Sequence, residues 1–286
     1  MSLPPAPSTL PFSQVVVFSD HGLRGNPVAV VHGADGLPDD TLAEFARWTN
    51  LSETTFLLEP TDPAADYRLR IFTTGGELPF AGHPTLGSAH AWLEAGGQAR
   101  HTDRVVQECG AGLVTVRRGE RLAFAAPPLM RSGPVDEEQA AGVRQALGLT
   151  EEQVLGMAWV DNGPGWVGIE LADAQEVLAV EPALHLSGHL KAGLVGRWSD
   201  PAAAGRDVEV RAFYGDGVDF MEDPVTGSLN AGLAQWLIGK GRLPDRYVAG
   251  QGARKRRDGV VHVERIGEDI WVGGDTVTTV RGSVRL

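Results

Sequence analysis

Apolar and polar positions along this chain alternate between the two-residue rhythm of strands and the three-to-four-residue rhythm of helices, and they do so in two rounds. In the first round, β-branched apolar runs at 14–19 and 27–32 read as strands, the second one entered through a Gly25-Asn26-Pro27 turn. Asp39 and Asp40 open a helical stretch through Ala46 and Trp48, acids being suited to the positive end of a helix. Further strands are predicted at 54–58 and 67–73, then a helix beginning near Pro84 and ending by Gly96-Gly97, then strands at 105–108 and 113–117. Pro127-Pro128 marks the crossover. The second round gives a helix over 136–147, strands at 166–171 and 208–214, and a second long helix beginning near Pro224 and ending before Gly239. Strands at 260–265 and 270–273 follow, and the last segment, 276–286, is again β-rich.

The two rounds share wording as well as rhythm. Arg70-Ile71-Phe72 precedes a loop into His83-Pro84-Thr85-Leu86-Gly87-Ser88, and Arg211-Ala212-Phe213 precedes Asp223-Pro224-Val225-Thr226-Gly227-Ser228, about 140 residues later. A weaker echo links Gly25-Asn26-Pro27-Val28 with Asn162-Gly163-Pro164-Gly165. Each copy runs strand, loop, His or Asp, proline, glycine, serine, apolar helix. This is an internal duplication.

Length and charge sharpen that picture. At 286 residues the chain exceeds the usual single-domain size, in keeping with two lobes. A net charge of −12 argues against nucleic acid or an anionic membrane as main partner. The one basic cluster, Arg254-Lys255-Arg256-Arg257, reads as a solvated loop between strands. The longest apolar runs are too short to cross a bilayer, and residues 1–11 read as a proline-containing, disordered lead-in without signal-peptide features. The expected location is therefore cytoplasmic. A single cysteine, Cys109, excludes an internal disulfide and a cysteine metal cluster.

The duplicated motif has the makings of a site. Proline at a first helical position sacrifices no hydrogen bond, and the small residues after it leave backbone N–H groups uncrowded at the positive end of the helix. Two such N-termini facing each other would receive a carboxylate or a developing oxyanion. A titratable residue, His83 or Asp223, stands just before each proline. A third element is Asn50-Leu51-Ser52-Glu53-Thr54-Thr55-Phe56, which places Glu53 at the junction of a helix and an apolar strand. Poor solvation there would raise a carboxyl pKa and suit it to proton donation near neutral pH.

Gly25-Asn26-Pro27-Val28-Ala29-Val30-Val31, Asn50 to Phe56, Arg70-Ile71-Phe72-Thr73, Glu77-Leu78-Pro79-Phe80-Ala81-Gly82-His83-Pro84-Thr85-Leu86-Gly87 and Glu222-Asp223-Pro224-Val225-Thr226-Gly227-Ser228 occur in this order. Together they resemble the phenazine-biosynthesis PhzF-like isomerase family, over nearly the whole chain from Phe12 onward. The resemblance implies an α+β, diaminopimelate-epimerase-like fold of two pseudo-symmetric lobes, each a curled β-sheet around a central helix, with the site in the cleft. The lobes would be residues 1–128, rejoined by the strand 276–286, and residues 129–275. It also implies a homodimer, and isomerisation of a substrate such as trans-2,3-dihydro-3-hydroxyanthranilate by relocation of a proton. Glu53 would be the general acid/base, and His83 and Asp223 would hold and polarise the substrate's hydroxyl and amino groups. Gly82, Gly227 and Ser228 would bind its carboxylate, with Ser52 and Thr226 in the same substrate-binding set. Epimerases of this fold use two cysteines, whose stations here are Gly82 and Asp223, so one cysteine excludes that chemistry. Departures from the family pattern at Thr74, at Leu229-Asn230 and in the basic stretch after Gln251-Gly252 bear on substrate identity rather than reaction type.

Other constellations are weaker. His185 and His189 have the spacing of a helical metal pair but lack a third ligand, and no nucleotide-binding glycine motif or nucleophile elbow is present. The tryptophans read as packing residues. The expectation is a metal-free, cofactor-free isomerase of a small carboxylated, cyclic metabolite. The rivals are a dehydratase or tautomerase on the same scaffold, or a non-catalytic binder of small anions.

Overall fold

A computed structural model describes residues 9–182, 191–215 and 220–286, and the chain divides into two compact units. The first comprises the stretch ending at Leu23, Pro27–Phe124 and Asp275–Leu286. The second comprises Arg24–Asn26 and Ala125–Gly274.

The chain begins with β1 (Thr9–Val17), β2 (Asn26–Val31), α1 (Asp39–Thr49), β3 (Glu53–Leu58), β4 (Tyr67–Thr73), β5 (Gly76–Leu78) and α2 (Gly82–Glu94). It continues with β6 (Arg104–Cys109), β7 (Gly112–Arg118) and β8 (Leu122–Ala125). The second unit adds β9 (Arg131–Gly133), α3 (Glu137–Leu147), β10 (Gly156–Asp161), β11 (Val167–Glu170), α4 (Ala174–Ala179), β12 (Lys191–Arg197), α5 (Pro201–Ala204) and β13 (Val208–Gly215). Then come β14 (Phe220–Asp223), α6 (Gly227–Gly239), β15 (Arg246–Gln251), β16 (Gly259–Ile266) and β17 (Asp269–Gly274), before β18 (Thr276–Arg285) returns to pair with β1.

Pairing repeats strand for strand. In the first unit β2–β3 is parallel, β3–β4 and β4–β5 antiparallel, β4–β6 parallel, and β6–β7 and β7–β8 antiparallel. The second unit repeats this sequence from β11–β12 to β16–β17. The duplication read from the motifs is therefore present in the topology, and the fold is α+β.

Each unit wraps strands around one helix that is buried over most of its length. α2 packs on β1, β3, β4, β6, β7 and β18, and α6 on β10, β11, β16 and β17. The amphipathic α1 instead covers an outer face, burying Leu42, Phe45 and Ala46 against Phe56 and Phe72. The repeated Arg-x-Phe has a structural explanation. Arg70 clasps Glu77 across the β4–β5 hairpin at 2.7 Å, and Arg211 clasps Glu222 across β13–β14 at 2.9 Å. The two guanidinium groups also lie 5.1 and 4.7 Å from the ring centres of Phe72 and Phe213.

The structure corrects several expectations. β1 starts at Thr9, inside the supposed lead-in, because residues 9–13 gain a ladder from the far end of the chain, Arg281 to Arg285. Short strands such as β5, β9 and β14, and the short helices α4 and α5, carry too few residues to show a period. Residues 1–8 and the His185/His189 pair lie outside the described residues. The basic cluster forms an exposed turn at Ala253–Lys255 that continues through Arg256, with Arg254 paired to Glu181. Among the described residues no helix is long and apolar enough to cross a membrane.

Candidate active site

The two helix starts differ from the sequence expectation and from each other. α2 begins at Gly82, so His83 is its second residue and Pro84 its third, where a missing N–H still costs no helical bond. α6 begins only at Gly227, so Pro224 precedes the helix and Asp223 is the last residue of strand β14. The matching letters thus occupy different structural registers. Both helices nonetheless share a trait. The first residues of α3, α4 and α5 are capped by Asp136, Asp173 and Asp200, and α1 carries Asp39 and Asp40 in its first turn. Among the described α-helices only α2 and α6 have neither a capping side chain nor an acid in the first turn.

In the first unit, Asn50 takes the left-handed conformation, φ 54°, and ends α1 with its N–H on the Ala46 carbonyl. That turn delivers Ser52 and Glu53 to the start of β3, where Glu53 stands opposite Val28. His83 is 4% exposed, and its Nε2 lies 3.3 Å from Oε2 of Glu53. Burial pushes the His83 pKa down to about 3, opposed in part by donation from the ring to the Pro27 carbonyl. The ring is therefore neutral. The ring nitrogen Nε2 is the one that faces Glu53. A polar ladder behind α2 fixes its first two turns. Ser88 donates to Thr55 at 2.9 Å and Gln107 to Thr85 at 3.1 Å, all four being buried.

In the second unit both Asp223 oxygens receive donors. Asn26 reaches Oδ1 at 3.2 Å, and the Thr226 hydroxyl donates to Oδ2 instead of capping α6. Gly227 is buried, while Ser228 is half-buried and its Oγ accepts the indole N–H of Trp166 at 3.0 Å. With a lone pair thus occupied, the Ser228 hydroxyl is free to donate its proton to an anion. Ser88, the sequence counterpart, is wholly buried and structural.

The structure thus joins Glu53 to His83 in one unit and Asp223 to Thr226 in the other, with Ser52 and Gly82 adjoining the first pair and Gly227 and Ser228 the second. Trp166, expected to be packing only, has a polar task, and Trp48 is 78% exposed. Gln251 and Asn230 hold the Asp223–Thr226 loop; the sequence marked Asn230 only as a departure from the family pattern and did not mark Gln251 as a site residue. Among the described residues no group of three His, Cys, Asp or Glu side chains is placed to hold a metal ion.

Comparison with known proteins gives a consistent result. The family described as "phenazine biosynthesis-like protein" matches residues 15–282. "Antisense-enhancing sequence 1" of Schizosaccharomyces pombe is 34% identical, over 95% of this chain and 97% of its own. The trans-2,3-dihydro-3-hydroxyanthranilate isomerase of Pseudomonas fluorescens is 33% identical, over 79% of each. Among solved structures, a phenazine biosynthesis PhzF-family protein of Enterococcus faecalis superposes with a TM-score of 0.78 at 23% identity, covering 98% of this chain and all of its own, 100%.

Proposed function

The chain belongs to the phenazine biosynthesis-like family and is an isomerase, and from that premise we propose that it relocates a proton on a small, carboxylated, cyclic substrate without a bound cofactor. Glu53 is the acid/base that carries the proton. His83, neutral, lies against the Glu53 carboxyl and orients it. Asp223 accepts from a hydroxyl or amino group of the same substrate. The open N-termini of α2 and α6, through Gly82, Gly227 and the Ser228 hydroxyl, hold its carboxylate, with Ser52 and Thr226 completing the contacts. The observation that carries this reading is the Glu53–His83 contact of 3.3 Å with an imidazole kept neutral by burial. A general acid needs a proton that it can give at working pH, and a neutral partner leaves it there.

The test is an ultraviolet-absorbance assay with trans-2,3-dihydro-3-hydroxyanthranilate, run on wild type and on Glu53→Gln. Turnover by wild type, at least about a hundredfold weaker in the variant, is the expected result for loss of an acid–base group. Deuterium from solvent should enter the product at one ring carbon. A folded wild type with no turnover would reject this substrate, and equal turnover by the variant would reject Glu53. A homodimer in the cytoplasm belongs to the same proposal, and a monomer in sedimentation would remove the first part.

A further inference from the structure

The Asp223 loop is governed by a residue that the proposed chemistry does not use. Gln251 ends strand β15, is 0% exposed, and spends every hydrogen-bonding position of its amide. Its Nε2 donates to the Asp223 carbonyl at 3.2 Å and to Thr226 Oγ1 at 2.9 Å. Its Oε1 accepts from the Thr226 N–H at 3.0 Å and from Asn230 Nδ2 at 2.9 Å.

Two of those partners are backbone groups that work in one direction only. A carbonyl can only accept and an N–H can only donate, so the amide admits a single orientation. The consequence passes down the chain. Thr226 Oγ1 receives an N–H from Gln251, so its own proton points at Asp223 Oδ2. Asn26 is fixed by the same logic. Its Nδ2 donates to the Val225 carbonyl at 2.9 Å, which turns the same NH2 group toward Asp223 Oδ1. Gly252, at φ +92°, completes the arrangement, because a Cβ there would come within 2.5 Å of the Pro224 carbonyl. Only glycine lets β15 end with Gln251 under this loop.

We propose that Gln251 is a positioning residue, which acts through Thr226 to present Asp223 as an aimed, acceptor-only carboxylate. The substrate group that meets Asp223 is then a hydrogen-bond donor, an ammonium or a hydroxyl, and never a carbonyl oxygen. This rests on the reading that Asp223 touches substrate, but the relay itself can be tested without turnover.

The experiment uses full-length protein carrying carbon-13 at aspartate side-chain carboxyls, with the Asp223 resonance assigned through Asp223→Asn. At one fixed pH, Gln251→Met and Thr226→Val should each move that resonance, and the double variant should move it no further than Thr226→Val alone. Thr226→Ser, which keeps the hydroxyl, should leave it near its wild-type position. With trans-2,3-dihydro-3-hydroxyanthranilate, kcat should fall by up to about a hundredfold in Gln251→Met while KM changes little, as for a misplaced catalytic group. A Gln251→Met protein that melts earlier but keeps the wild-type resonance would overturn the proposal, as would additive shifts. If Gln251→Met does not fold, an unmoved resonance in Thr226→Val has the same force. A wild type that does not turn the substrate over sinks the functional reading, while the resonances still decide the relay.

Discussion

His83 shows how far a single residue's surroundings decide its chemistry. A histidine beside a carboxylate ordinarily gains a proton, yet here desolvation outweighs that pull and holds the ring neutral. Its pKa of about 3, against an ordinary 6.5, means that the unfolded chain binds the extra proton between those values and the folded one does not. Stability from this group is therefore complete above pH 6.5 and is lost as pH falls below it, at roughly 1.4 kcal/mol per pH unit. Nitrogen-15 spectra of the His83 ring should show no titration between about pH 5 and 8. A midpoint near 6.5 would mean that Glu53 is ionised and the ring is its cation, and would reverse the proton's assignment within the pair. The paired motifs point to His83 and Asp223, and the helix–strand junction points to Glu53. Gln251 and Asn230 were not legible as site residues, since a buried amide is written with the same letter as an exposed one and only its partners reveal the difference.

At the scale of elements, α2 and α6 were foreseen as central helices, but their starts were misplaced because proline was taken to mark the first helical position in both. The glycines show why equal letters do not mean equal roles. Gly87 sits on the sixth position of α2, where a Cβ would lie 2.4 Å from Val28 Cγ1 and 3.0 Å from Val17 Cγ2, whereas its counterpart Gly227 opens α6. The close approach in the second unit is made instead by Gly232, whose Cβ would lie 2.3 Å from the Val160 carbonyl oxygen. Alanine in a helix gains about 1 kcal/mol over glycine, so the sign of each substitution depends on whether the neighbour can yield. Valine side chains yield at a cost of about 1–3 kcal/mol, so Gly87→Ala should be mildly destabilising. A strand backbone cannot retreat without breaking its ladder, so Gly232→Ala should cost more, with urea midpoints lower in that order. Equal midpoints would show that β10 moves as readily as a valine side chain.

Across the whole molecule, titratable groups pull stability in opposite directions with pH. Burial lowers the pKa of His32 and His90 as well as His83, so all three make the fold more stable as pH rises toward 6.5. Glu209 opposes them. It is 0% exposed in β13, its nearest cation, Arg206, lies 3.9 Å away, and desolvation raises its pKa from 4.5 to about 7. Here the folded state holds the proton more tightly, so stability falls as pH rises from 4.5 to 7 and is flat above. Glu209→Gln removes that buried charge while Arg206 keeps Asp258 at 2.7 Å, so the cation is not orphaned. The variant should match wild type below about pH 4.5, then gain on it steadily, and be more stable by about 1–3 kcal/mol at pH 8. Denaturant midpoints at low, intermediate and high pH give the difference curve directly. A difference that does not change with pH would show that Glu209 stays ionised in the fold, with Arg206 rather than burial setting its charge.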